Sequence, residues 1–218
     1  MFACVEALRN TLRTAIIPDQ LSMLRHLSIL RTTCAALRNR ALKIWVYRRA
    51  SVVLHQGSVV GPGKLVFGAQ WKSGIFRPSQ LVLRQGAVCQ VEGTFRIHEG
   101  ASIWINQSAR ITLGSGYINS GVNISISGSL TIGHDVAIAE NVTIWDADGH
   151  EIQGRAAGPQ PVNIGNHVWI GLNTTILKGV TIGDGAVIAA GALVNRDIPA
   201  GMLAAGVPAR PIRQVIWS

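Results

Sequence analysis

An aliphatic residue recurs at every sixth position in the C-terminal half of this chain. The series is Ile164, Ile170, Ile176, Ile182, Ile188 and Val194. An α-helix repeats every 3.6 residues and an amphipathic strand every two, so neither element alone explains this period. A short period that persists in this way is typical of a solenoid of stacked coils. The spacing therefore predicts the fold before any single residue is considered.

Three six-residue repeats make one triangular coil, and successive coils stack at the spacing of paired strands, about 4.7–4.9 Å. A weaker form of the same register begins near residue 51. We predict a parallel β-solenoid over residues 51–203 with about seven coils. Residues 146–161 contain no repeat and are rich in Gly, Pro, Ala and charge, which predicts a loop that projects from one corner. Residues 204–218 are predicted to form a turn-rich C-terminal tail.

Residues 1–50 differ from the rest of the chain. They have apolar residues at helical spacing, and nine Lys and Arg residues oppose only Glu6 and Asp19. This pattern predicts a basic amphipathic helical segment, interrupted at Pro18. Such a segment either lies on an anionic membrane surface or caps the open end of the solenoid. The two interpretations are compatible, and the sequence leaves both open.

Composition and charge exclude several classes of protein. The net charge is +9 for the whole chain but only +2 after residue 50, and no nucleic-acid-binding motif is present, so we expect no nucleic-acid partner. The chain has no uncharged apolar stretch of about twenty residues and no pattern of a signal peptide. The three cysteines have no metal-site or disulfide spacing. We therefore expect a cytoplasmic protein, with peripheral contact at the inner membrane face as the alternative location.

Four motifs support a resemblance to a known family. They are Ile164-Gly-Asn-His-Val-Trp-Ile-Gly171, Ile176-Leu-Lys-Gly-Val-Thr-Ile-Gly183, Ala205-Gly-Val-Pro-Ala-Arg210 and Asp148-Gly-His150. The chain resembles the hexapeptide-repeat acyltransferases, in particular the sugar and xenobiotic O-acetyltransferases and their polysaccharide-modifying relatives. The resemblance implies an all-β, left-handed parallel β-helix and a homotrimer with active sites between subunits. It also implies acetyl-CoA as co-substrate and no metal.

His150 is the predicted general base. Acyl transfer to an alcohol needs a group that accepts the hydroxyl proton, and the ordinary pKa of imidazole suits that task at neutral pH. His150 also lies in the long interruption of the repeat. Asp146, Asp148 or Glu151 is a candidate to orient the imidazole, and a backbone carbonyl is an equal alternative. By resemblance, Asn119 lies across the cleft from the histidine, although an inward-facing or turn asparagine is the alternative.

The remaining candidates concern the two substrates. Small residues at the corners near Gly171 and Ala190 are predicted to offer free backbone amides to the pantetheine arm, by position in the family. Arg196, Arg210 and Arg213 match the family's basic positions for the phosphates, where guanidinium groups are well suited. Asp148 and Trp169 are assigned to acceptor binding, and Lys178 is assigned no role.

These assignments predict an acetyl-CoA-dependent O-acetyltransferase. The acceptor is a hydroxyl of a sugar, a nucleotide sugar or a lipid-linked glycan precursor. Two alternatives stay open at this point: an N-acetyltransferase that acts on an amino sugar, and a non-catalytic β-helix scaffold. A zinc enzyme on the same fold is disfavoured because His134, His150 and His167 lack the close His-x4-His spacing that it needs.

Overall fold

The computed structural model describes residues 43–47, 49–55, 57–70, 77–151 and 158–218. Within these ranges the chain forms 22 strands and no helix. The first eleven are β1 (Lys43–Val46), β2 (Ala50–Leu54), β3 (Ser58–Val60), β4 (Lys64–Ala69), β5 (Ser79–Leu83), β6 (Val88–Val91), β7 (Thr94–His98), β8 (Ser102–Ile105), β9 (Arg110–Leu113), β10 (Gly116–Ile118) and β11 (Asn123–Ile126). The others are β12 (Ser129–Ile132), β13 (Val136–Ile138), β14 (Thr143–Trp145), β15 (Val162–Ile164), β16 (Trp169–Ile170), β17 (Thr175–Ile176), β18 (Thr181–Ile182), β19 (Val187–Ile188), β20 (Leu193–Val194), β21 (Met202–Gly206) and β22 (Ala209–Gln214).

These strands form the three faces of a prism. Face 1 has nine strands in the order β1-β4-β7-β10-β13-β16-β19-β21-β22, face 2 has seven in the order β2-β5-β8-β11-β14-β17-β20, and face 3 has six in the order β18-β15-β12-β9-β6-β3. Each coil contributes one strand to each face, so β1–β3 make coil 1, and β19, β20 and the bridge at Ile198 make coil 7. The predicted left-handed parallel β-helix is confirmed.

The six-residue repeat creates the core because each face turns one aliphatic column inward. On face 2, for example, Ile124, Ile144, Ile176 and Val194 stand in register and are almost completely buried. Burying one such side chain contributes about 1.5–3 kcal/mol. The outward positions of face 3 are polar instead: Gln90, Thr112, Thr131, Asn163 and Thr181.

The predicted helical segment over residues 1–50 is wrong at its C-terminal end. β1 and β2 are strands of coil 1, and Ile44 and Val46 enter the core by alternation while β1 pairs with β4. Within the described residues, the β-helix therefore includes residues 43–50 as well. The predicted helix over residues 1–42 lies outside the described residues. No helix in the described part of the chain is long and apolar enough to cross a membrane.

The C-terminal boundary also differs from the prediction. Residues 202–214 form a hairpin of β21 and the antiparallel β22, which extends face 1 beyond coil 7. A further interruption of the repeat separates β4 from β5 at residues 70–78. The corresponding turn of coil 4, between β10 and β11, has only residues 119–122. The loop at 146–161 is therefore not the only long interruption. The sequence did not reveal the one at 70–78 because the six-residue register is weak in the early coils.

Candidate active site

Two corners of the prism bring the candidate residues into position. We call the turn from face 1 to face 2 the first corner and the turn from face 2 to face 3 the second corner. At the first corner, strand register stacks one residue of each coil above the last. These residues are His98, Asn119, Ala139, Gly171 and Ala189.

Asn119 is buried at the first corner, with 7% of its surface exposed. Its backbone N–H donates to the Ile138 carbonyl at 2.8 Å, which fixes its place in the ladder. Its side-chain Oδ1 is buried and has no hydrogen-bond partner among the described residues. A buried polar atom without a partner costs about 1–3 kcal/mol, so such an atom is retained where something outside the chain satisfies it. This property fits the predicted ligand-binding role.

His98 lies directly below Asn119 and was not among the predicted residues. It is 2% exposed, and its Nδ1 lies 3.2 Å from the Ala69 carbonyl. Burial lowers the pKa of His98 to about 4, so the ring is neutral at pH 7. The sequence signal was its position after Ile97, which is the same repeat position that Asn119 has after Ile118.

Gly171 and Ala190 lie against each other at the first corner of coils 6 and 7. A Cβ on Gly171 would lie 2.6 Å from the Ala190 nitrogen, which explains why the position has no side chain. The Gly171 N–H donates to the Ile188 carbonyl at 2.8 Å, and the Gly171 carbonyl accepts from Thr174 Oγ1 at 2.7 Å.

The small residues at these corners are Gly171, Ala189, Ala190 and Gly191, and the prediction that they offer free backbone amides is wrong for three of them. The N–H groups of Gly171, Ala189 and Gly191 all donate to backbone carbonyls, because parallel pairing uses them. Within the described part of the chain, the exposed Ala190 N–H has no such partner. Ala190 is thus the amide that remains for a ligand.

The loop with His150 leaves the second corner of coil 5. Asp146 anchors its start: the fully buried carboxylate accepts from the N–H groups of Ser127 and Gly128, each at 2.7 Å. The Asp146 carbonyl also accepts from the Gln160 N–H at 2.8 Å, which closes the base of the loop. His150 itself is exposed and makes no hydrogen bond or ion pair with the residues that the structure describes.

Two of the three acidic residues near His150, Asp146 and Asp148, have other partners. Asp146 holds the turn at residues 127–128, and Asp148 forms an ion pair with Lys178. Neither carboxylate is hydrogen-bonded to the imidazole. Lys178, to which the sequence analysis assigned no role, therefore braces the loop from the coil above. The register of Ile176 with Val194 places Arg196 one coil further along the same corner, where it is exposed.

The three predicted arginines are divided between two regions. Arg210 and Arg213 lie on β22, opposite Ala205 and Leu203, at the end of face 1. Among the described residues, their guanidinium groups donate only to neighbouring backbone carbonyls, at 2.8 Å for Arg210 and 3.2 Å for Arg213. Arg196 lies at the second corner, across the width of face 2. One chain therefore brings Arg210 and Arg213 together and leaves Arg196 apart.

Trp169 projects outward from face 1 and is 46% exposed. It is in register with the small Ala137 on one side and with Val187 on the other. Its ring centroid is 6.0 Å from that of Trp217, in a tilted arrangement. The side chain thus forms part of the outer surface of face 1 rather than covering a corner.

His150 and Asn119 occupy opposite edges of face 2. Asn119 precedes β11 at the first corner, whereas the His150 loop follows β14 at the second corner. No hydrogen bond joins the two residues in the described ranges. Also within those ranges, no group of three or more His, Cys, Asp or Glu side chains could hold a metal ion.

Comparison with known proteins agrees with this architecture. The family model described as bacterial transferase hexapeptide (six repeats) matches residues 161–196. Galactoside O-acetyltransferase of Escherichia coli is 37% identical over 150 residues, which cover 63% of this chain and 71% of that protein. A Staphylococcus aureus 2,3,4,5-tetrahydropyridine-2,6-dicarboxylate N-acetyltransferase is 54% identical over 54 residues, 25% of this chain and 23% of that protein.

A solved structure is similar over most of the chain. The crystal structure of the polySia specific acetyltransferase NeuO superposes with a TM-score of 0.52 at 26% sequence identity, and the match covers 82% of this chain and 89% of that one. Together with the galactoside enzyme, which matches over more than two thirds of its own length, this similarity identifies the family. The chain belongs to the hexapeptide-repeat acetyltransferases.

Proposed function

We propose that this protein transfers an acetyl group from acetyl-CoA to a hydroxyl of a sugar or cell-surface glycan precursor, with His150 as general base. The observation that carries the proposal is an exposed imidazole that has no hydrogen-bond partner among the described residues. Its loop is anchored by Asp146 in coil 5 and by Lys178 in coil 6. Similarity to a galactoside O-acetyltransferase over 150 residues supports the oxygen acceptor. A scaffold without catalytic function would not require this combination.

The proposed reaction is a direct transfer. His150 accepts the proton of the acceptor hydroxyl, and the oxygen attacks the thioester carbonyl. The C–S bond breaks, the acetyl ester forms, and the proton passes to the departing CoA thiolate. General-base catalysis of this kind contributes about 10²–10⁴-fold. In this proposal Asn119 binds the acceptor hydroxyl through its buried Oδ1, or its side-chain Nδ2 donates to the oxyanion.

The position of the two residues favours a site built by two subunits. Because His150 and Asn119 stand at opposite edges of face 2, a neighbouring chain is needed to bring one of each together. A closed ring of three chains repeats that contact three times. In this arrangement the donor lies along coils 6 and 7, against Gly171 and Ala190, with its phosphates near Arg210 and Arg213. Arg196 of the adjoining chain completes the basic set, and Trp169 and Asp148 border the acceptor.

The role of His150 is tested with a matched histidine. His150→Ala is expected to lower kcat for acetyl transfer to a galactoside by about 10²–10⁴-fold. His134→Ala is the control, because His134 is also exposed but lies between faces 3 and 1. Release of free CoA thiol measures the rate. Equal loss of activity in the two variants, or no loss in either, contradicts the proposal.

The shared site is tested by complementation. His150→Ala and Asn119→Ala chains, each nearly inactive alone, are co-expressed so that they form mixed oligomers. Mixed trimers contain some sites with an intact histidine from one chain and an intact asparagine from the other. Activity is therefore expected to reappear in the mixture. If mixed oligomers form and stay inactive, both residues act within one chain and the arrangement is wrong.

An N-acetyltransferase that acts on an amino sugar is the second candidate. The observation that favours it is the 54% identity to an N-acetyltransferase over 54 residues. The two activities give products of different stability, since hydroxylamine cleaves an acetyl ester and leaves an acetamide intact. Incubation with a galactoside and with the corresponding 2-amino sugar, followed by hydroxylamine treatment, separates them. A hydroxylamine-resistant product as the main product favours the nitrogen acceptor.

A further inference from the structure

We propose that the cavity at the second corner of coils 1–3 binds an acidic oligosaccharide, as an extended subsite for the acceptor. The inference rests on the proposed function, because it identifies the acceptor as longer than the single sugar at His150. The cavity has a volume of about 540 Å³ and is lined by His55, Val82, Arg84, Gln85, Trp104, Asn106 and Gln107. None of these residues belongs to the candidate active site.

Trp104 supplies an aromatic wall in a fixed orientation. Its indole N–H donates to Ser102 Oγ at 3.1 Å, which prevents the ring from turning about its axis without losing that bond. The ring is only partly buried, so one portion faces the cavity. An aromatic surface of this kind packs against the C–H face of a sugar ring, while the polar groups around it bind the hydroxyls.

The polar lining consists of groups that recognise hydroxyls and anions. The side chains of Gln85 and Gln107 make no hydrogen bond with described residues, and Asn106 uses only its Nδ2, which donates to Ser127 Oγ at 3.0 Å. Amides of this type both donate to and accept from hydroxyl groups. The Arg84 guanidinium lies over the Trp104 ring, 5.8 Å from its centroid, so the cation and the exposed part of the ring border the cavity side by side.

The charge of this region favours an acidic ligand. Arg84 has no carboxylate partner among the described residues, and the described second-corner residues of coils 1–4 include no Asp or Glu. Arg110, at the start of β9, is also exposed but is not among the residues that line the cavity. A guanidinium group free of internal carboxylates binds an external carboxylate in a bidentate manner. A sugar chain that carries carboxylates matches this lining, whereas a neutral chain leaves Arg84 unused.

The location connects the cavity to the proposed reaction. The donor residues lie in coils 6 and 7 and in the hairpin, and the His150 loop leaves coil 5 at the second corner. The cavity lies at the same corner on the opposite side of the loop. Coil 3 and coil 5 are about 10 Å apart at the spacing of stacked strands. A chain bound in the cavity therefore extends toward His150 from the side that the donor does not occupy.

Calorimetric titration of the full-length protein without acetyl-CoA tests the assignment. The probes are hexagalacturonate and the uncharged maltohexaose, which have the same number of sugar rings. We expect hexagalacturonate to bind more tightly than maltohexaose. Trp104→Ala should weaken hexagalacturonate binding about tenfold or more, equivalent to about 1.4 kcal/mol, and Trp104→Phe should retain most of it. Arg84→Gln should abolish the preference for the acidic chain, while the matched Arg110→Gln outside the cavity should keep it.

The assignment is overturned if the wild-type protein does not bind hexagalacturonate, or if Trp104→Ala and Arg84→Gln bind both probes as the wild type does. Thermal melting verifies that each variant is folded. The thiol-release assay on His150→Ala is independent of this titration. Unchanged activity in that variant with loss of binding in Trp104→Ala refutes the proposed chemistry and supports the cavity. The opposite pair of results supports the chemistry and refutes the cavity.

Discussion

The two corners that border face 2 are built from the same repeat but differ in what they bury. The first corner buries His98 and Asn119, and above them it carries small residues such as Gly171. The second corner exposes His150 and Arg196. One edge of the sheet therefore holds a polar group in a fixed, shielded place, and the other presents charge and an imidazole to solvent.

This difference shows how a uniform core supports a site with two chemical halves. The inward aliphatic columns are alike at both edges, so packing does not distinguish the corners. In coils 4 and 5 the difference is whether the chain turns immediately, as at residues 119–122 of the first corner, or inserts a loop, as after Asp146 at the second corner. A tight turn leaves room only for small or buried groups. An inserted loop frees a side chain for catalysis but needs its own anchors, which Asp146 and Lys178 provide.

Removal of the second-corner anchor should have the largest effect on stability. Asp146→Ala deletes a buried carboxylate that accepts two backbone N–H bonds at 2.7 Å, and leaves both donors without that partner. We expect the free energy of unfolding in urea to fall by about 3 kcal/mol, since bonds to charged acceptors are the strong ones. Asp197→Ala, which deletes one exposed bond to the Thr181 N–H, should cost less than about 1 kcal/mol. Similar losses in both variants would show that the buried anchor has no special role.

The buried first corner should make the protein sensitive to acid. His98 has a folded-state pKa of about 4 because of burial, against an ordinary value of 6.5. The unfolded chain therefore takes up the proton first as pH falls, so stability present above pH 6.5 is lost between 6.5 and about 4. The loss amounts to about 3 kcal/mol. Urea titrations across this pH interval measure it. His98→Gln should flatten the pH dependence, and His134→Gln, at an exposed position, should retain it.

Much of the difference between the two corners could be predicted from the sequence, because the six-residue repeat is a local pattern. The isoleucine repeat depends only on spacing, so it predicted the coils, the faces and the loop at His150. It failed where spacing is ambiguous: Ile44 and Val46 sit among basic residues in a pattern that also fits a helix, yet β1 pairs with β4. The burial of His98 and the pairing of Asp148 with Lys178 depend on neighbouring coils. Contacts between coils are not visible in a single stretch of sequence.

A methyl group added at Gly171 should destabilise the first corner, where the small residues lie. Gly171→Ala places a Cβ 2.6 Å from the Ala190 nitrogen and 2.8 Å from the Ile188 carbonyl oxygen, and these backbone atoms must shift. Overpacking of this kind costs about 1–3 kcal/mol. Gly149→Ala in the second-corner loop is the matched control, because no atom of the described residues lies within 4 Å of its added Cβ. Its unfolding free energy should stay within about 0.5 kcal/mol of the wild type. If both variants unfold alike, the first corner is not close-packed.

The smallest expected effect comes from a third histidine, and its sign is opposite to that of His98. His167 stacks on Trp217 at 4.1 Å, its Nδ1 lies 2.6 Å from Asp135 Oδ2, and its Nε2 lies 2.9 Å from the Trp217 carbonyl. Both ring nitrogens thus face acceptors, which favours the protonated ring.

The Trp217 carbonyl and the Asp135 carboxylate raise the pKa of His167. Its contribution to the free energy of unfolding is therefore fully present below its unfolded-state pKa of about 6.5. The contribution is lost as the pH rises through the raised folded-state pKa. One of the two hydrogen bonds from the His167 ring is lost over that range, so the contact of Trp217 with His167 should weaken, while the Trp217 indole N–H still donates to the His167 carbonyl at 3.1 Å. Fluorine NMR of 5-fluorotryptophan-labelled protein, with Trp217 assigned through Trp217→Phe, follows the change. His167→Gln should remove its pH dependence, and a Trp217 resonance that stays constant in the wild type would show that protonation does not hold the tail. Exposure together with acceptors on both nitrogens makes this histidine stabilise at low pH, whereas burial makes His98 destabilise there.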